Sequence, residues 1–291
     1  MAAPPAPPAP PKRKSELGIR TVLSTLMLSA IAAIYWLDVT RTSGWLSAGL
    51  LGLLGLMGVH EFCAMFRRAG FPIADGSLLV ASLALFVTAP LFGWRHVDRE
   101  LYPLVGITFL MLFPIAFRSL TRERMAIGLE EQGATLLGLI SVAWPMYLAQ
   151  GLVLRHTPSA LYVVLVCKGG DIGAYLCGSF FGKHKLIPHV SPGKTVEGAF
   201  GSLLVSVGLA VGLRPLLLAP TVELGLTVAI LVGIMLNLTT QVGDLVESML
   251  KRRCGVKDSS ALLPAHGGVL DLIDSLLFSF PAFLLVVTLV T

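Results

Sequence analysis

The chain has 291 residues, of which 55% are hydrophobic and only 13% charged, and it carries a formal net charge of +5. Its mean hydropathy of +0.80, concentrated in repeated apolar runs of about 20 residues, the length of a helix that crosses a hydrocarbon core, excludes a soluble globular domain and predicts an all-α polytopic membrane protein. A pI near 9.2 would suit nucleic acid, but the basic residues are parcelled among short loops between apolar runs, which argues against that partner.

In chain order, residues 1–18 read as a Pro-rich basic tail that opens MAAPPAPPAPPKR and has too little apolar side chain to build a core. Nine spans follow, near 20–39, 46–66, 75–94, 101–117, 133–154, 158–181, 198–218, 222–250 and 267–290. The first run stays apolar to Leu37, so it reads as a span and not as a cleaved signal peptide. Residues 19–155 are taken as an N-terminal group of transmembrane helices and 156–291 as the catalytic region. With nine spans, sixteen of the 22 Lys and Arg residues fall in one set of loops and five in the other, and Lys168 lies inside a span. That asymmetry places the N-terminus in the cytoplasm and the C-terminus outside.

Cys63, Cys167, Cys177 and Cys254 have no metal-site spacing and read as buried fillers. Glycines at Gly49, Gly52, Gly55 and Gly58, at Gly169, Gly173, Gly178 and Gly182, and at Gly208 and Gly212 are spaced for close helix packing within one bundle. Asn237-Leu-Thr239 matches a glycosylation sequon but lies within a span, so it is discarded.

The eighth span carries Asn237, Gln241, Asp244, Ser248 and Lys251 at steps of four, three, four and three. At 100° per residue they share a wedge of about 80°. A polar face at membrane depth must line a cavity or meet partners. Partners are at hand: Asp271 and Asp274 open the ninth span after His266-Gly267-Gly268, and Lys168, Asp171 and Tyr175 share a face of the sixth. Each mid-membrane carboxylate costs about 2.5–3.5 kcal/mol on insertion scales, so Asp171, Asp244, Asp271 and Asp274 together are costly to keep for packing alone. Asp244 with Asp271 is read as a divalent-cation site, and oxygen-only ligands suit Mg²⁺. Lys168 and Asp171 form either a mutually neutralising pair or part of the site.

The loop after the sixth span ends Ser191-Pro-Gly-Lys194-Thr195, which imitates a P-loop but lacks its first glycine and its strand. It still offers a cation and hydroxyls before a helix opening near Glu197, whose N-terminus favours phosphate. His60-Glu61, deep in the second span, is more readily structural than catalytic.

At these residues the chain resembles the phosphatidate cytidylyltransferase family, the CDP-diacylglycerol synthases. Ser248, Lys251, Arg252, Lys257, Asp258, Ser260, Leu263, Pro264, His266, Gly267, Gly268, Val269, Asp271, Ile273 and Asp274 follow the family's long C-terminal motif, and Asp171, Tyr175, Gly178, Phe181-Gly182-Lys183, Ser191-Pro192, Lys194-Thr195 and Glu197-Gly198 follow its upstream pattern. Leu272 departs from it: the family has Arg there, so a cation expected beside the acids is missing unless Lys168, Arg252 or Lys257 replaces it.

The resemblance implies transfer of a cytidylyl group from CTP to phosphatidic acid within the plasma (inner) membrane, if the source is bacterial. The implied roles are Mg²⁺ on Asp244 and Asp271 with Asp274 in support, and CTP phosphates on Lys251, Arg252 and Lys257. Ser191, Lys194 and Thr195 would hold nucleotide or lipid head group, with Ser248 placing a phosphate, Asp171 near the substrate and His266 transferring a proton or binding phosphate. A second cation and a homodimer are compatible with this reading. Two rivals stand beside it: a related CTP-dependent lipid enzyme, such as a polyprenol kinase or a cytidylyltransferase for another lipid phosphate, and an ion-coupled transporter. A transporter would show matched halves, whereas the polar groups here crowd into the C-terminal part.

Overall fold

The computed structural model describes residues 29–92, 97–121, 125–218, 222, 224–262 and 267–290. Each predicted span is a helical rod, and the rods follow the hydropathy segment by segment. α1 (29–37) continues through a π-helical turn at Asp38–Thr42 to a corner at Ser43 and Gly44. There follow α2 (Trp45–Arg68), α3 (Asp75–Phe92), α4 (Val97–Ser119), and α5 (Met125–Gly138), which runs through a π turn at Leu139–Ala143 into α6 (Trp144–Arg155) as one rod. α7 (Thr157–Phe181), α8 (Val196–Leu217), α9 (Leu226–Arg253) and α10 (Val269–Val290) complete the chain. Among the described residues seven of these rods are long and apolar enough to cross a membrane, while the apolar part of α3 is shorter and α1 is described only from residue 29.

One departure from the expected all-helical pattern lies between α7 and α8. Where a flexible loop was anticipated, β1 (Lys185–Ile187) pairs antiparallel with β2 (Ser191–Thr195). The hairpin is tied at its base: Val196 N–H donates to His184 O at 2.9 Å, and the Glu197 carboxylate accepts from the backbone N–H of Lys183 and His184. Thr195 caps α8 by accepting from Gly198 N–H at 3.1 Å, the ordinary use of a threonine at a helix start.

The corner after α1 shows why an acid can sit at zero exposure. The Asp38 carboxylate accepts from Leu46 N–H at 3.0 Å, Ser47 N–H at 2.7 Å and the Thr42 hydroxyl, so its charge lies on the otherwise unpaired donors that open α2. Gly44, at φ +88°, makes the turn in a backbone conformation that side chains resist.

α10 holds the bundle together, packing against α2, α6, α7 and α9. It ties the first helices to the last through a core that includes Phe62, Tyr147, Tyr162, Phe280 and Phe283. α7 and α8 form the closest pair, and glycine allows it. A methyl on Gly173 would sit 2.7 Å from Val205 Cγ2, and one on Gly201 would strike Cys177. The glycine spacing of the sixth span is therefore a packing seam, as expected. Gly208 and Gly212 border open space instead. All four cysteines are free thiols.

Candidate active site

The polar face of α9 meets partners along its whole length. At its deep end Asn237, 1% exposed, donates to Ser202 Oγ of α8 at 2.6 Å and accepts from Gln241 at 2.7 Å. One turn on, Asp244 forms a 2.6 Å ion pair with Lys194 of β2, and Ser248 Oγ lies 3.5 Å from its other oxygen. At the end of the face Lys251 reaches across to Asp271 of α10 at 2.5 Å and back to Glu247 at 3.1 Å. The hairpin thus brings Lys194 onto α9, and α10 brings Asp271.

Asp271 is satisfied on both oxygens. Oδ1 takes the Lys251 ammonium; Oδ2 accepts from Ser259 N–H at 2.8 Å, Ser259 Oγ at 2.7 Å and Gly268 N–H at 2.8 Å. The glycines before α10 exist for this approach. Gly267 has φ +87° and a side chain there would lie 2.7 Å from Asp271 Oδ2; at Gly268 it would collide with Ser259 Oγ and the Glu61 carboxylate. Glu61, 5% exposed, arrives from α2 and accepts four hydrogen bonds, from Ser259 Oγ (2.9 Å), Ser260 Oγ (2.7 Å), Val269 N–H (3.0 Å) and Leu270 N–H (2.8 Å). His60 beside it is exposed. Glu61 thus stands at the edge of the site, bonded to the segment that precedes α10 and to its first turn.

The third wall comes from α7. Lys168 Nζ lies 3.4 Å from Asp171 and donates to Ser275 Oγ of α10 at 2.7 Å. Both Lys168 and Asp171 line a cavity of about 740 Å³ between α1, α2, α7 and α10. The cavity wall is otherwise largely apolar, including Leu50, Leu54, Val164, Leu276 and Phe280, and its polar end is Lys168, Asp171 and Asp271. Leu272 lines the same space.

The remaining expected residues are placed less tightly. Arg252 and Lys257 are exposed, with Arg252 donating to Val256 O at 3.1 Å, and Ser191 is half-buried at the start of β2. Thr195 spends its hydroxyl on the α8 cap. His266 lies outside the described residues. Sequence reading missed Glu247, although its i,i+4 spacing to Lys251 was a usable signal. It also missed Ser259 and Ser275, which carry no pattern of their own.

Among the described residues no three His, Cys, Asp or Glu side chains are gathered as a ready ligand set. Asp244 and Asp271 are each held by a lysine instead. Behind them Glu247 lies against Asp274, and among the described residues nothing donates to the buried Glu247 Oε1. Two buried carboxyls in contact require a shared proton or a cation. These all-oxygen groups fit Mg²⁺, which characteristically uses one or two carboxylates and takes the rest of its shell from water and substrate phosphate.

The cytidylyltransferase family profile matches residues 18–290. The chain belongs to the cytidylyltransferase family. It is 46% identical over 263 residues to the phosphatidate cytidylyltransferase of Staphylococcus epidermidis (strain ATCC 12228 / FDA PCI 1200), covering 88% of this chain and 95% of that protein. It is 33% identical over 264 residues to the phosphatidate cytidylyltransferase of Staphylococcus aureus (strain COL), with the same coverage. The family match spans both halves of the bundle, so α2 lies within the matched region as α9 and α10 do.

The ion pairs on Lys251 are nearly dry, with 10% of its side chain exposed against 4% for Glu247 and 11% for Asp271. Removing one partner from a buried pair typically costs about 3–5 kcal/mol. Lys251→Met should accordingly lower the Tm of the detergent-purified protein, and adding Glu247→Gln should restore part of the loss by removing one of the two stranded charges. Thermal unfolding of the single and double variants checks this; a double variant no more stable than the single would contradict the electrostatic account.

Proposed function

We propose that the protein transfers a cytidylyl group from CTP to phosphatidic acid, giving CDP-diacylglycerol for phospholipid synthesis and releasing pyrophosphate. The observation that carries this reading is the position of Asp271. One side of it faces the lysine and acid cluster of α9, and the other forms the polar end of the apolar cavity. A water-soluble polyanion and a lipid phosphate can meet at such a point.

In the reaction an oxygen of the lipid phosphate forms a bond to the α-phosphorus of CTP, and the bond from that phosphorus to the bridging oxygen of the β-phosphate breaks, so that pyrophosphate leaves with the electron pair. Every group involved is anionic, which makes charge neutralisation and alignment the main tasks. Lys194 and Lys251 each sit on an acid in this structure, and a triphosphate would compete for both ammonium groups. Arg252 and Lys257, exposed beside them, would take the outer phosphates, and Ser248 and Ser191 would add hydroxyl contacts. Lys168, at the polar end of the cavity, would face the lipid phosphate while acyl chains follow the apolar wall. Mg²⁺ would be held by Asp244 and Asp271, with Asp274 in support, and would neutralise phosphate charge when bound. The purified protein should therefore form labelled CDP-diacylglycerol from labelled CTP, phosphatidic acid and Mg²⁺. Asp244→Asn or Asp271→Asn should lower kcat by roughly 10²–10³-fold or more in protein that remains folded; near-normal turnover in either would remove that residue from the site.

Leu272 of α10 lines the same cavity as Lys168 of α7, whereas Arg252 and Lys257 lie on the exposed surface. Lys168 is thus the cation placed to serve where the family has Arg. On that account Leu272→Arg leaves kcat/KM unchanged or lowers it by crowding the lipid end. A clear gain in kcat/KM would show that the site lacks a cation.

The site's cations share one end of the bundle with the loop after α2, where Arg253 lies over the Phe71 ring at 5.5 Å. This clustering supports an orientation with that end and the N-terminus in the cytoplasm and the C-terminus outside. Gly193→Cys and Lys257→Cys, in a protein whose four cysteines are replaced, should react with a membrane-impermeant maleimide from the cytoplasmic side alone, and CTP with Mg²⁺ should slow the reaction. Reaction from the outer side would reverse the orientation.

A further inference from the structure

Ser259 lies between two carboxylates that come from opposite ends of the chain. Its hydroxyl is 2.9 Å from Glu61 Oε2 and 2.7 Å from Asp271 Oδ2, while its own N–H is committed to Asp271. A serine hydroxyl has one proton to give. Glu61 and Asp271 therefore compete for it, and the share that Asp271 receives depends on the charge of Glu61.

Glu61 also fixes where Asp271 stands. Its two oxygens accept from Val269 N–H and Leu270 N–H, the first donors of α10, and Asp271 is the next residue of that helix. A negative charge on these N–H groups is favoured by the helix dipole as well as by the hydrogen bonds. Ser260 Oγ and Ser259 Oγ close the cage, at 4% exposure for Ser259 and 5% for Glu61. No slack remains at Gly268, where even a methyl group would collide with Glu61 and Ser259. Among the described residues the hydrogen bonds of Glu61 go to Ser259, Ser260, Val269 and Leu270, none of which is assigned to substrate. Glu61 reaches the site through Ser259 and the start of α10.

We propose that Glu61 is a positioning residue for cytidylyl transfer: from α2 it sets the place of Asp271 and, through the shared Ser259 proton, the strength with which Asp271 can act on its partners. This inference rests on the reaction proposed above. It makes the N-terminal helices part of the catalytic apparatus and not merely its support.

The test uses the full-length protein in detergent with Ser259→Ala, Glu61→Gln and the double variant, comparing kcat, KM for CTP, and Tm with and without Mg²⁺. Ser259→Ala removes the bridging hydroxyl and leaves three acceptor contacts of Glu61 intact, so it tests the proposal even if Glu61→Gln fails to fold. Loss of such an orienting partner typically costs about 10–100-fold in activity, and the expected result is a kcat loss in that range with KM for CTP changed by less than about threefold. The double variant should be little worse than the poorer single one, because both changes break the same link. Two results would overturn the proposal: normal kcat per folded molecule with only Tm reduced, which makes Glu61 a purely structural anchor, or fully additive losses, which make the two residues independent. Absence of turnover in the parent would fall on the proposed reaction, and Glu61 is then judged by the rise in Tm on adding Mg²⁺ alone, which reads the hold of Asp271 on the ion and not the affinity for CTP. The proposal requires that rise to shrink in Ser259→Ala. A rise equal to the parent's, or no rise in the parent, overturns it.

Discussion

Asp271 accepts four hydrogen bonds at the point where α10 begins, and the architecture around it follows from keeping that one carboxylate charged in a poorly hydrated place. An unpaired acid at such depth would be protonated or would expel the helix end toward water. Lysine from α9, a serine from the connecting segment and an N–H from the glycine pair each remove part of the cost. The same demand explains two glycines, because only a bare backbone lets Asp271 and Glu61 approach from both sides. What looks in the sequence like a motif of unrelated residue types is, in space, the solvation shell of one anion.

Much of the fold was legible because hydropathy acts over one helix at a time. Among the described residues the apolar runs are helical rods, and the polar stripe from Asn237 to Lys251 is a face that meets partners, since both patterns depend on local spacing. The Lys168 and Asp171 pair was readable for the same reason, three apart on one helix. The hairpin was not. Residues 183–197 contain no alternation strong enough to announce strands, and β1 is held by Glu197 and His184 contacts that form only once α8 has begun. Glu61 was hidden more deeply: its partners are about two hundred positions away, and nothing in its neighbourhood distinguishes an acid that caps another helix from one that balances His60.

The acids first read as one metal cluster are divided in the structure between two lysines, and this has a physical logic. Asp244 is paired with Lys194, and Asp271 shares Lys251 with Glu247; paired acids and lysines can be kept at membrane depth where bare ones would each be costly. On the proposed reading a polyanion arriving with its cation would offer each partner a replacement of the same sign: phosphate for the acid, metal for the lysine.

That balance also bears on why the acceptor end of the site is built differently. Lys168, which lines the cavity, is shared between Asp171 and the neutral Ser275 hydroxyl, and 34% of its side chain is exposed. It is therefore less fully neutralised than Lys251, and it retains attraction for an incoming anion. A lipid phosphate approaching along an apolar wall brings its charge with it and leaves its chains in hydrocarbon, so one incompletely paired cation at the end of the cavity is sufficient to stop it there. On the proposed reading Leu272 fits the wall: it lines the same cavity as Lys168, and an apolar side chain there continues the surface that the chains would follow.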